Sequence, residues 1–496
     1  MKSVAIIGAG LGGLSASILL ASAGYHVDVY EKNHYAGGKM KRYTVGGARF
    51  DFGPNTITMP NAFKDILRLS GVNPDEYIEF RKLNTHTMNY FSDGSTLLAS
   101  SDRATMLEQL QSFDVRPEQF DRYTHSIKQL YTHAVNEFFP RTFSSLQEFA
   151  SLRLLRAFSA VKPFTTMHQY HRSFFEDQRV VQMLDRYATY IGSSPYLAPA
   201  TFSMIGYLEF LDGVYYVPGG NPTIAEAFQR RAEEIGVTFH FNEEVSKLHV
   251  NDNKTVTSLS TKFVSRKAYD AYLLNGDFLT VYPKLVDKKH RPSFTEDTKV
   301  KEPTSSAFVI LCATNQKTSA RHYHQVYFSK DYEQEFQQLF SQKTYPSDPT
   351  IYISNSSTYD RSAVSDQAEE GDNLFILVNA PSLTHENRDL DPDQLKNWVY
   401  DHLEQRGVFI RNFIIDDLVI TPKQLEEEFH SYFGGLYGYT SHTLLQAFNR
   451  PSTKGKDLTN LFFAGGSTHP GGGSPMVVQS GRNAANLIKK SLRSTT

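Results

Sequence analysis

Three glycines near the start of the chain have a spacing that suits phosphate binding. Gly8, Gly10 and Gly13 form the pattern Gly-x-Gly-x-x-Gly, with Leu11 and Gly12 inside it. The first glycine permits a tight turn, the second lets the backbone approach a pyrophosphate, and the third lets a helix pack closely on a strand. The N–H groups at the start of that helix then face the phosphates. The pattern therefore predicts a dinucleotide site.

A carboxylate follows at the distance that a ribose contact requires. Glu31 lies 18 residues after the last glycine of the pattern, at the end of a predicted strand. From there it can accept hydrogen bonds from ribose hydroxyls. A second glycine pair follows, and such a pair lets the backbone pass close to a bound cofactor. The neighbouring residues that we expect at the same site are Lys32, Gly37, Gly38 and Lys39.

The elements around these residues form one βαβ unit. Residues 4–7 are a short apolar run, which is typical of a strand buried on both faces. Residues 14–23 have the small and apolar pattern of a buried helix that ends at Gly24, and residues 27–30 are the next strand. This context makes the glycine pattern specific. The alternative is a glycine turn in an α/β protein that binds no nucleotide.

Length and composition indicate a large globular protein. The 496 residues correspond to about three structural units, and the net charge of −2 argues against a nucleic-acid partner. The single cysteine, Cys312, excludes an internal disulfide and a cysteine-based metal cluster, and no metal-ligand spacing occurs, so no metal site is predicted. The 35 Phe and 28 Tyr residues suit either a long apolar cavity or an aromatic-rich core.

The α/β pattern falls into three pieces separated by two insertions. We therefore predict a discontinuous, Rossmann-type nucleotide-binding domain and a substrate domain built from the insertions. The first insertion is predicted to be mostly helical, and the second contains strand-like runs at 307–311 and 351–354 and a helix near 392–405. The predicted pieces of the nucleotide-binding domain are 1–75, 215–285 and 455–496, and the insertions are 76–214 and 286–454.

The two ends of the chain carry a family resemblance. Residues 50–54, Phe-Asp-Phe-Gly-Pro, and residues 461–476, Leu-Phe-Phe-Ala-Gly-Gly-Ser-Thr-His-Pro-Gly-Gly-Gly-Ser-Pro-Met, resemble segments of the carotenoid (phytoene) desaturase family of FAD-dependent oxidoreductases. With the glycine patterns, the resemblance covers the N-terminal third, the block 190–245 and the C-terminal 40 residues. It implies an α/β fold with a discontinuous FAD-binding domain, an inserted mixed α+β substrate domain and FAD as cofactor.

The same resemblance implies further cofactor contacts. Gly53 and Pro54 lead the chain toward the flavin, and the backbone of Val245 meets the adenine. His469 is expected to be a flavin neighbour or a hydrogen-bonding support, in preference to a catalytic base, and no catalytic residue is identified. The C-terminal residues expected to meet the ribityl chain and isoalloxazine are Gly465, Gly466, His469, Gly472, Pro475 and Met476.

Two reactions on a lipophilic polyene fit this resemblance. One oxidises a terminal methyl group to an aldehyde, and the other introduces a C=C bond. Residues 473–477, Gly-Ser-Pro-Met-Val, resemble the corresponding segment of the terminal oxidases of C30 carotenoids (the 4,4'-diaponeurosporene oxygenase type). The segment Thr468-His469-Pro470 is equally typical of the desaturases. We therefore expect methyl oxidation, with desaturation of the dehydrosqualene or phytoene type as the alternative. A different flavin enzyme resembling amine oxidases is the second alternative.

A basic segment suggests how such a substrate reaches the protein. Residues 149–175 contain no acid but carry Arg153, Arg156, Lys162 and Arg172 beside an apolar side. A basic amphipathic segment of this kind can lie on an anionic bilayer, or it can pack on its own domain. Carotenoid delivery favours the first, so a cytoplasmic protein at the inner face of the membrane is expected. Residues 190–195 and 215–220 are predicted to border the substrate tunnel.

Overall fold

A computed structural model describes residues 1–142, 164–294, 301–366, 368–443, 446 and 450–493. Within these ranges the strands are β1 (Ser3–Ile7), β2 (His26–Tyr30), β3 (Lys41–Val45), β4 (Ala48–Phe52), β5 (Arg81–Leu83), β6 (Thr85–Tyr90), β7 (Thr96–Ser100), β8 (Val214–Tyr216), β9 (Thr238–His240), β10 (Val245–Val250), β11 (Val256–Thr261), β12 (Ala271–Leu274), β13 (Ser306–Thr314), β14 (His324–Tyr327), β15 (Ile351–Asn355), β16 (Asn373–Ala380), β17 (Ile414–Ile420) and β18 (Leu461–Phe463). The α-helices of five residues or more in the same ranges are α1 (Leu11–Ala21), α2 (Pro60–Leu69), α3 (Arg103–Gln111), α4 (Pro117–His133), α5 (Met167–Arg172), α6 (Gln178–Asp185), α7 (Thr223–Glu234), α8 (Val281–Leu285), α9 (Tyr332–Gln337), α10 (Pro392–Gln405), α11 (Pro422–Phe429) and α12 (Ser474–Arg493).

The first sheet has five parallel strands in the order β18-β12-β1-β2-β9. Its strands β1, β12 and β18 are short, mostly apolar runs whose side chains are buried on both faces, as expected for a parallel sheet covered by helices. The strands come from three separated parts of the chain, as the sequence predicted for the α/β pieces. The domain boundaries themselves remain predictions.

Helix α1 follows β1 and packs closely against the C-terminal helix α12. The approach is so close that a Cβ atom on Gly481 would lie 2.1 Å from the carbonyl oxygen of Gly12. On its other side, a Cβ atom on Gly13 would lie 2.2 Å from the carbonyl oxygen of Gly8. Small residues on α1 therefore bring the first and last helices together over the amino-terminal glycine loop.

The second sheet has seven strands in the order β17-β13-β16-β15-β14-β6-β7. Strand β14 pairs with β6 in parallel and the other neighbours are antiparallel. The prediction that 76–214 is mostly helical is therefore wrong for residues 81–100, which form β5, β6 and β7. These strands depend on partners far along the chain, since Thr87 of β6 lies opposite His324 of β14. Their sequences contain no local alternation of apolar residues that would predict strands.

Several local predictions are confirmed. The predicted strands at 4–7, 27–30, 307–311 and 351–354 correspond to β1, β2, β13 and β15, and the helix predicted near 392–405 is α10. The C-terminal helix α12 begins at Ser474, five residues before the predicted start at 479. This earlier start places the first turn of the helix at the cofactor site.

Candidate active site

A cavity of about 370 Å³ opens where β1, β2 and β12 end. Ligands of open α/β sheets bind outside the carboxyl ends of the strands, so this is the expected location for a nucleotide. We call it the cofactor cavity. The predicted site residues that line it are Gly8, Gly10, Leu11, Glu31, Lys32, Gly37, Gly38, Lys39, Gly53, Pro54, Val245, Gly465, Gly466 and Gly472.

The glycine loop can only be built with glycines. Gly8 has a φ of +103°, and a Cβ atom there would lie 2.6 Å from the carbonyl oxygen of Asn275. A Cβ atom on Gly38 would lie 3.2 Å from the Cα atom of Gly10, so the two glycine motifs touch backbone to backbone. Gly12 and Gly13 do not line the cavity, and their contact with the cofactor stays a prediction. Their role is the close packing of α1.

Glu31 joins the glycine loop to the end of β2. Its carboxylate accepts hydrogen bonds from the backbone N–H of Ala9 at 2.8 Å and of Asn33 at 2.9 Å. Burial raises the pKa of Glu31, and the two N–H donors oppose that effect. The carboxylate lies at the cavity wall, where it can also meet ribose hydroxyls.

Lys39 is a half-buried cation at the cavity wall. Its Nζ donates to the carbonyl oxygen of Leu436 at 2.9 Å, and burial lowers its pKa to about 8. The nearby carboxylate of Asp277 opposes that shift, and burial raises the pKa of Asp277 itself. Asp277 also lines the cavity and was not found from the sequence. Lys39 thus ties the second glycine motif to the loop at Leu436.

Asn275 is a second residue that sequence reasoning missed. It directly follows β12, and its Nδ2 donates to the carbonyl oxygen of Gly8 at 3.1 Å. It therefore fixes the turn of the glycine loop from the neighbouring strand. The sequence offered one signal, because a polar residue at the carboxyl end of a strand in a nucleotide-binding sheet faces the ligand.

Arg450 joins the C-terminal turn to the loop at 437–439. Its buried guanidinium donates to the carbonyl oxygens of Tyr437 at 3.2 Å, Gly466 at 3.0 Å and Tyr439 at 3.2 Å. No carboxylate among the residues that the structure describes forms an ion pair with it within 4.0 Å. Burial lowers its pKa without removing its charge. Nothing in the sequence pattern singled out Arg450.

His469 does not line the cavity, and its place beside the flavin stays a prediction. Its Nε2–H donates to the carbonyl oxygen of Phe138 at 2.9 Å, and its own carbonyl oxygen accepts from the Ser480 hydroxyl at 2.9 Å. The ring is buried. His469 therefore connects the C-terminal turn to the end of the helical region, which is a supporting role and not that of a base.

A second cavity of about 290 Å³ adjoins the cofactor cavity, and we call it the substrate cavity. Pro475 and Met476, both predicted as flavin contacts, line this cavity and not the first. The residues common to both cavities form what we call the shared wall. They are Gly53, Pro54, Phe375, Leu377, Leu436, Tyr437, Gly472, Gly473 and Ser474.

One face of the seven-stranded sheet forms a continuous floor beneath both cavities. Successive side chains of a strand alternate between the two faces. On β16, Phe375 and Leu377 therefore face both cavities and Asn379 faces the substrate cavity. Val309 on β13 extends the floor under the cofactor cavity, and Tyr352 on β15 extends it under the substrate cavity.

The substrate cavity has largely apolar and aromatic walls. The residues that contribute them include Met59, Tyr131, Phe139, Ile191, Phe202, Met204, Ile205, Leu208 and Val326. Of the segments predicted to border a tunnel, 190–195 contributes Tyr190 and Ile191. Residues 215–220 line neither cavity, because this segment turns away and brings Gly220 against Asp51.

The basic segment predicted to dock on a membrane lies largely outside the described residues. Arg153, Arg156 and Lys162 fall in the range 143–163. Arg172 is described at the end of α5, where it is exposed and donates to the carbonyl oxygen of Glu176 at 3.0 Å.

The cofactor cavity fits a dinucleotide that carries a redox ring. The glycines along it leave room that side chains would fill, since Cβ atoms on Gly465 and Gly466 would meet no atom closer than 3.5 Å. At one end are the phosphate-binding loop and Glu31, and at the other the cavity meets an apolar chamber at the shared wall. This arrangement is that of a dinucleotide-binding protein in which a largely apolar chamber adjoins the cofactor site.

Comparison with known proteins identifies the cofactor. The sequence pattern of the family described as flavin containing amine oxidoreductase matches residues 11–489, so the chain belongs to that family. The solved cyclohexylamine oxidase from Brevibacterium oxydans shares its fold, with a TM-score of 0.62 and 14% identity over 99% of both chains. The protein is thus an FAD-dependent oxidoreductase, and the predicted fold class and cofactor are confirmed.

Curated relatives confirm the predicted resemblance to carotenoid enzymes. A 1-hydroxycarotenoid 3,4-desaturase of Flavobacterium sp. (strain P99-3) is 32% identical over 98% of this chain and 99% of its own. A 4,4'-diaponeurosporene oxygenase of Staphylococcus haemolyticus (strain JCSC1435) is 30% identical over 98% of this chain and 97% of its own. The relatives thus include both a desaturase and an oxygenase.

Proposed function

We propose that the protein is an FAD-dependent carotenoid oxidoreductase that oxidises the terminal methyl group of a C30 carotenoid, of the 4,4'-diaponeurosporene or diapolycopene type, to an aldehyde. The observation that carries the proposal is the shared wall, where the largely apolar substrate cavity adjoins the cofactor cavity. A polyene end placed in that chamber would lie against the C-terminal turn. The oxygenase relative and the motif at 473–477 favour methyl oxidation.

The chain's own residues position the substrate and exclude water. FAD, when bound, supplies the acceptor for hydride or electrons from the polyene. Phe375, Leu377 and Met476 offer apolar contacts to a hydrocarbon beside the shared wall. A hydrocarbon offers no ionisable group to hold, so orientation depends on the shape of the cavity and on burial of apolar surface.

The net reaction balances with dioxygen as co-reactant. A methyl group and O₂ give an aldehyde and water, R–CH₃ + O₂ → R–CHO + H₂O, and the polyene gains roughly fourteen mass units, one oxygen added and two hydrogens lost. Desaturation is the alternative, and the desaturase relative supports it. In that reaction –CH₂–CH₂– becomes –CH=CH–, both hydrogens pass to the flavin and solvent, and the product loses roughly two mass units.

Mass measurement after incubation with separate C30 carotenoids tests the proposal. We expect a gain of about fourteen units with FAD-loaded enzyme under air. Ile191→Trp should abolish turnover at unchanged FAD content, because Ile191 lines the substrate cavity away from the shared wall. Leu197→Trp is the matched control, since Leu197 is exposed and lines neither cavity. A loss of two units would establish the desaturase instead, and unchanged masses would refute both reactions.

We propose further that the protein acts at the inner face of the cytoplasmic membrane as a peripheral protein. The basic, acid-free sequence 149–175 supports this, as does Phe164, which exposes 93% of its surface. Within the described ranges, no helix combines the length and apolarity needed to cross a bilayer. The triple variant Arg153→Glu, Arg156→Glu, Lys162→Glu should pellet less with anionic liposomes than wild type.

The control for this experiment reverses charges elsewhere on the surface. Lys489→Glu with Lys490→Glu changes the C-terminal helix α12 and should leave pelleting unchanged. Equal pelleting of the triple variant and wild type would refute docking through this segment.

A further inference from the structure

A side-chain amide faces the substrate cavity without a partner in the protein. Asn379 lies on β16, and 9% of its surface is exposed. Its Oδ1 and Nδ2 atoms make no hydrogen bond within the described ranges, and both atoms keep accessible surface. Because Asn379 lines the substrate cavity, that surface faces the cavity. A molecule inside the cavity can therefore reach the amide.

The neighbouring strands do not satisfy this amide. On one side of β16, Ala307 of β13 lies directly opposite Asn379 and offers only a methyl group. On the other side, Tyr352 of β15 lies opposite Leu377, and its hydroxyl is hydrogen-bonded to Nδ1 of His324 at 2.7 Å. The sheet thus leaves the amide exposed to the cavity alone.

A second asparagine on the same strand shows the contrast. Asn373 lies on the same face of β16, since side chains alternate along a strand, and it lines neither cavity. Its Oδ1 accepts from the backbone N–H of Ser357 at 2.8 Å, and its Nδ2 donates to the carbonyl oxygen of Arg49 at 2.6 Å and to the hydroxyl of Ser356 at 2.8 Å. Buried polar groups are nearly always paired in this way. The unpaired amide of Asn379 therefore indicates a ligand group.

The chemistry of an amide selects a hydroxyl group as its partner. The amide offers N–H donors at one atom and a carbonyl acceptor at the other. A hydroxyl matches both halves, because its oxygen accepts from Nδ2 and its proton is donated to Oδ1. A hydrocarbon would leave both halves unsatisfied. An ionic group would be buried against an uncharged amide, which is costly without an opposite charge.

The position of Asn379 on the floor places such a hydroxyl near the shared wall. Leu377, which belongs to that wall, precedes Asn379 by two residues on the same face of β16. Residues spaced by two along a strand are about 7 Å apart. Asn379 lines the substrate cavity only, so the amide lies one row of side chains away from the cofactor. A hydroxyl bound there belongs to the end of the polyene that reacts, and not to the distant end.

We propose that Asn379 is a specificity-determining residue that binds a hydroxyl group on the reacting end of the polyene. This role rests on the proposed function and narrows its substrate class. Polyenes that carry a hydroxyl group at one end bind more tightly than the corresponding hydrocarbons. The hydroxyl also fixes how far the end group advances along the floor toward the cofactor cavity, which the apolar walls alone do not determine.

Binding of two matched C30 polyenes tests this role. The FAD-loaded enzyme is given a hydrocarbon and the same polyene with a hydroxyl group at one end, and Kd is measured by quenching of flavin fluorescence. Wild type should bind the alcohol about 10-fold more tightly. Asn379→Leu keeps the size of the side chain but removes both polar atoms, so it should weaken alcohol binding and strengthen hydrocarbon binding. Its Tm should not fall, because no hydrogen bond within the described part of the protein is lost.

The control makes the same substitution on the same face of the same strand. Asn373→Leu breaks three hydrogen bonds outside both cavities, so it should lower Tm and keep the 10-fold preference for the alcohol. Equal affinity of wild type for the two polyenes would overturn the role of Asn379. So would an Asn379→Leu variant that keeps the preference, or one that fails to fold. If wild type binds the polyenes but converts neither, the proposed function fails, and the Kd values still decide the role of Asn379.

Discussion

Substitution of Gly13 by alanine measures how tightly helix α1 is held against the glycine loop. A Cβ atom at this position would lie 2.2 Å from the carbonyl oxygen of Gly8, about 1 Å closer than such contacts allow. The backbone at Gly13 is helical, so the effect is purely steric. Both partners belong to the backbone, and therefore the helix must move away from β1. Overpacking of this kind costs about 1–3 kcal/mol, which lowers Tm by on the order of 1–3 °C in a chain of this length.

The same movement displaces the N–H groups at the start of α1 from the phosphates of FAD. We therefore expect Gly13→Ala to retain less than about a tenth of the wild-type FAD after gel filtration, measured from the ratio of flavin to protein absorbance. Ser17→Ala is the matched control on the same helix, since Ser17 only donates to the carbonyl oxygen of Leu14. Wild-type FAD content and wild-type Tm in Gly13→Ala would refute the packing argument.

Three other substitutions give further predictions. Gly10→Val should abolish FAD retention, because the new side chain enters the cofactor cavity; a flavin spectrum at wild-type intensity would contradict this. Arg450→Lys should weaken FAD retention and leave the free protein folded, because one ammonium cannot bridge three carbonyl oxygens. Flavin titration measures the FAD affinity and circular dichroism checks the fold. An unaltered FAD affinity would argue against this role of Arg450. Burial raises the pKa of the Glu335 carboxyl from 4.5 to about 7. Between these values the folded state holds a proton that the unfolded state has lost. The free energy of unfolding therefore falls by up to about 3 kcal/mol as pH rises from 4.5 through 7. Glu335→Gln should remove that decline in Tm between pH 5 and 8, and a decline that persists would assign it to other groups.

The parts of the fold that could be predicted are those in which neighbours in sequence are neighbours in space. Strand β1, the glycine loop, helix α1 and strand β2 follow one another within 30 residues, and each has its own apolar or glycine signal. Strand β6 has no such signal. Its sequence, Thr-His-Thr-Met-Asn-Tyr, is polar, and the strand forms because β14 lies beside it and because its buried Asn89 hydrogen-bonds to carbonyl oxygens of Thr87 and Leu97.

The residues of the site also divide into those that a local sequence signal marks and those that only the folded structure brings together. Residues in glycine motifs were found because the motifs constrain the backbone at fixed spacing. Asn275 and Arg450 were missed because each acts through contacts that folding alone creates. Asn275 holds Gly8, and Arg450 holds Gly466 of the C-terminal turn. His469 illustrates the converse, since its motif marked the correct turn but could not show that the ring faces Phe138 and not the cavity.

Phe375 and Leu377 stand in the wall of both cavities, and this has a thermodynamic consequence. A ligand that orders these two side chains in one chamber prepares them for the ligand in the other, so the two binding equilibria are coupled. The coupling must be equal in both directions: the factor by which bound FAD strengthens polyene affinity is the factor by which bound polyene strengthens FAD affinity. An enzyme of this design keeps its flavin best while it is supplied with substrate.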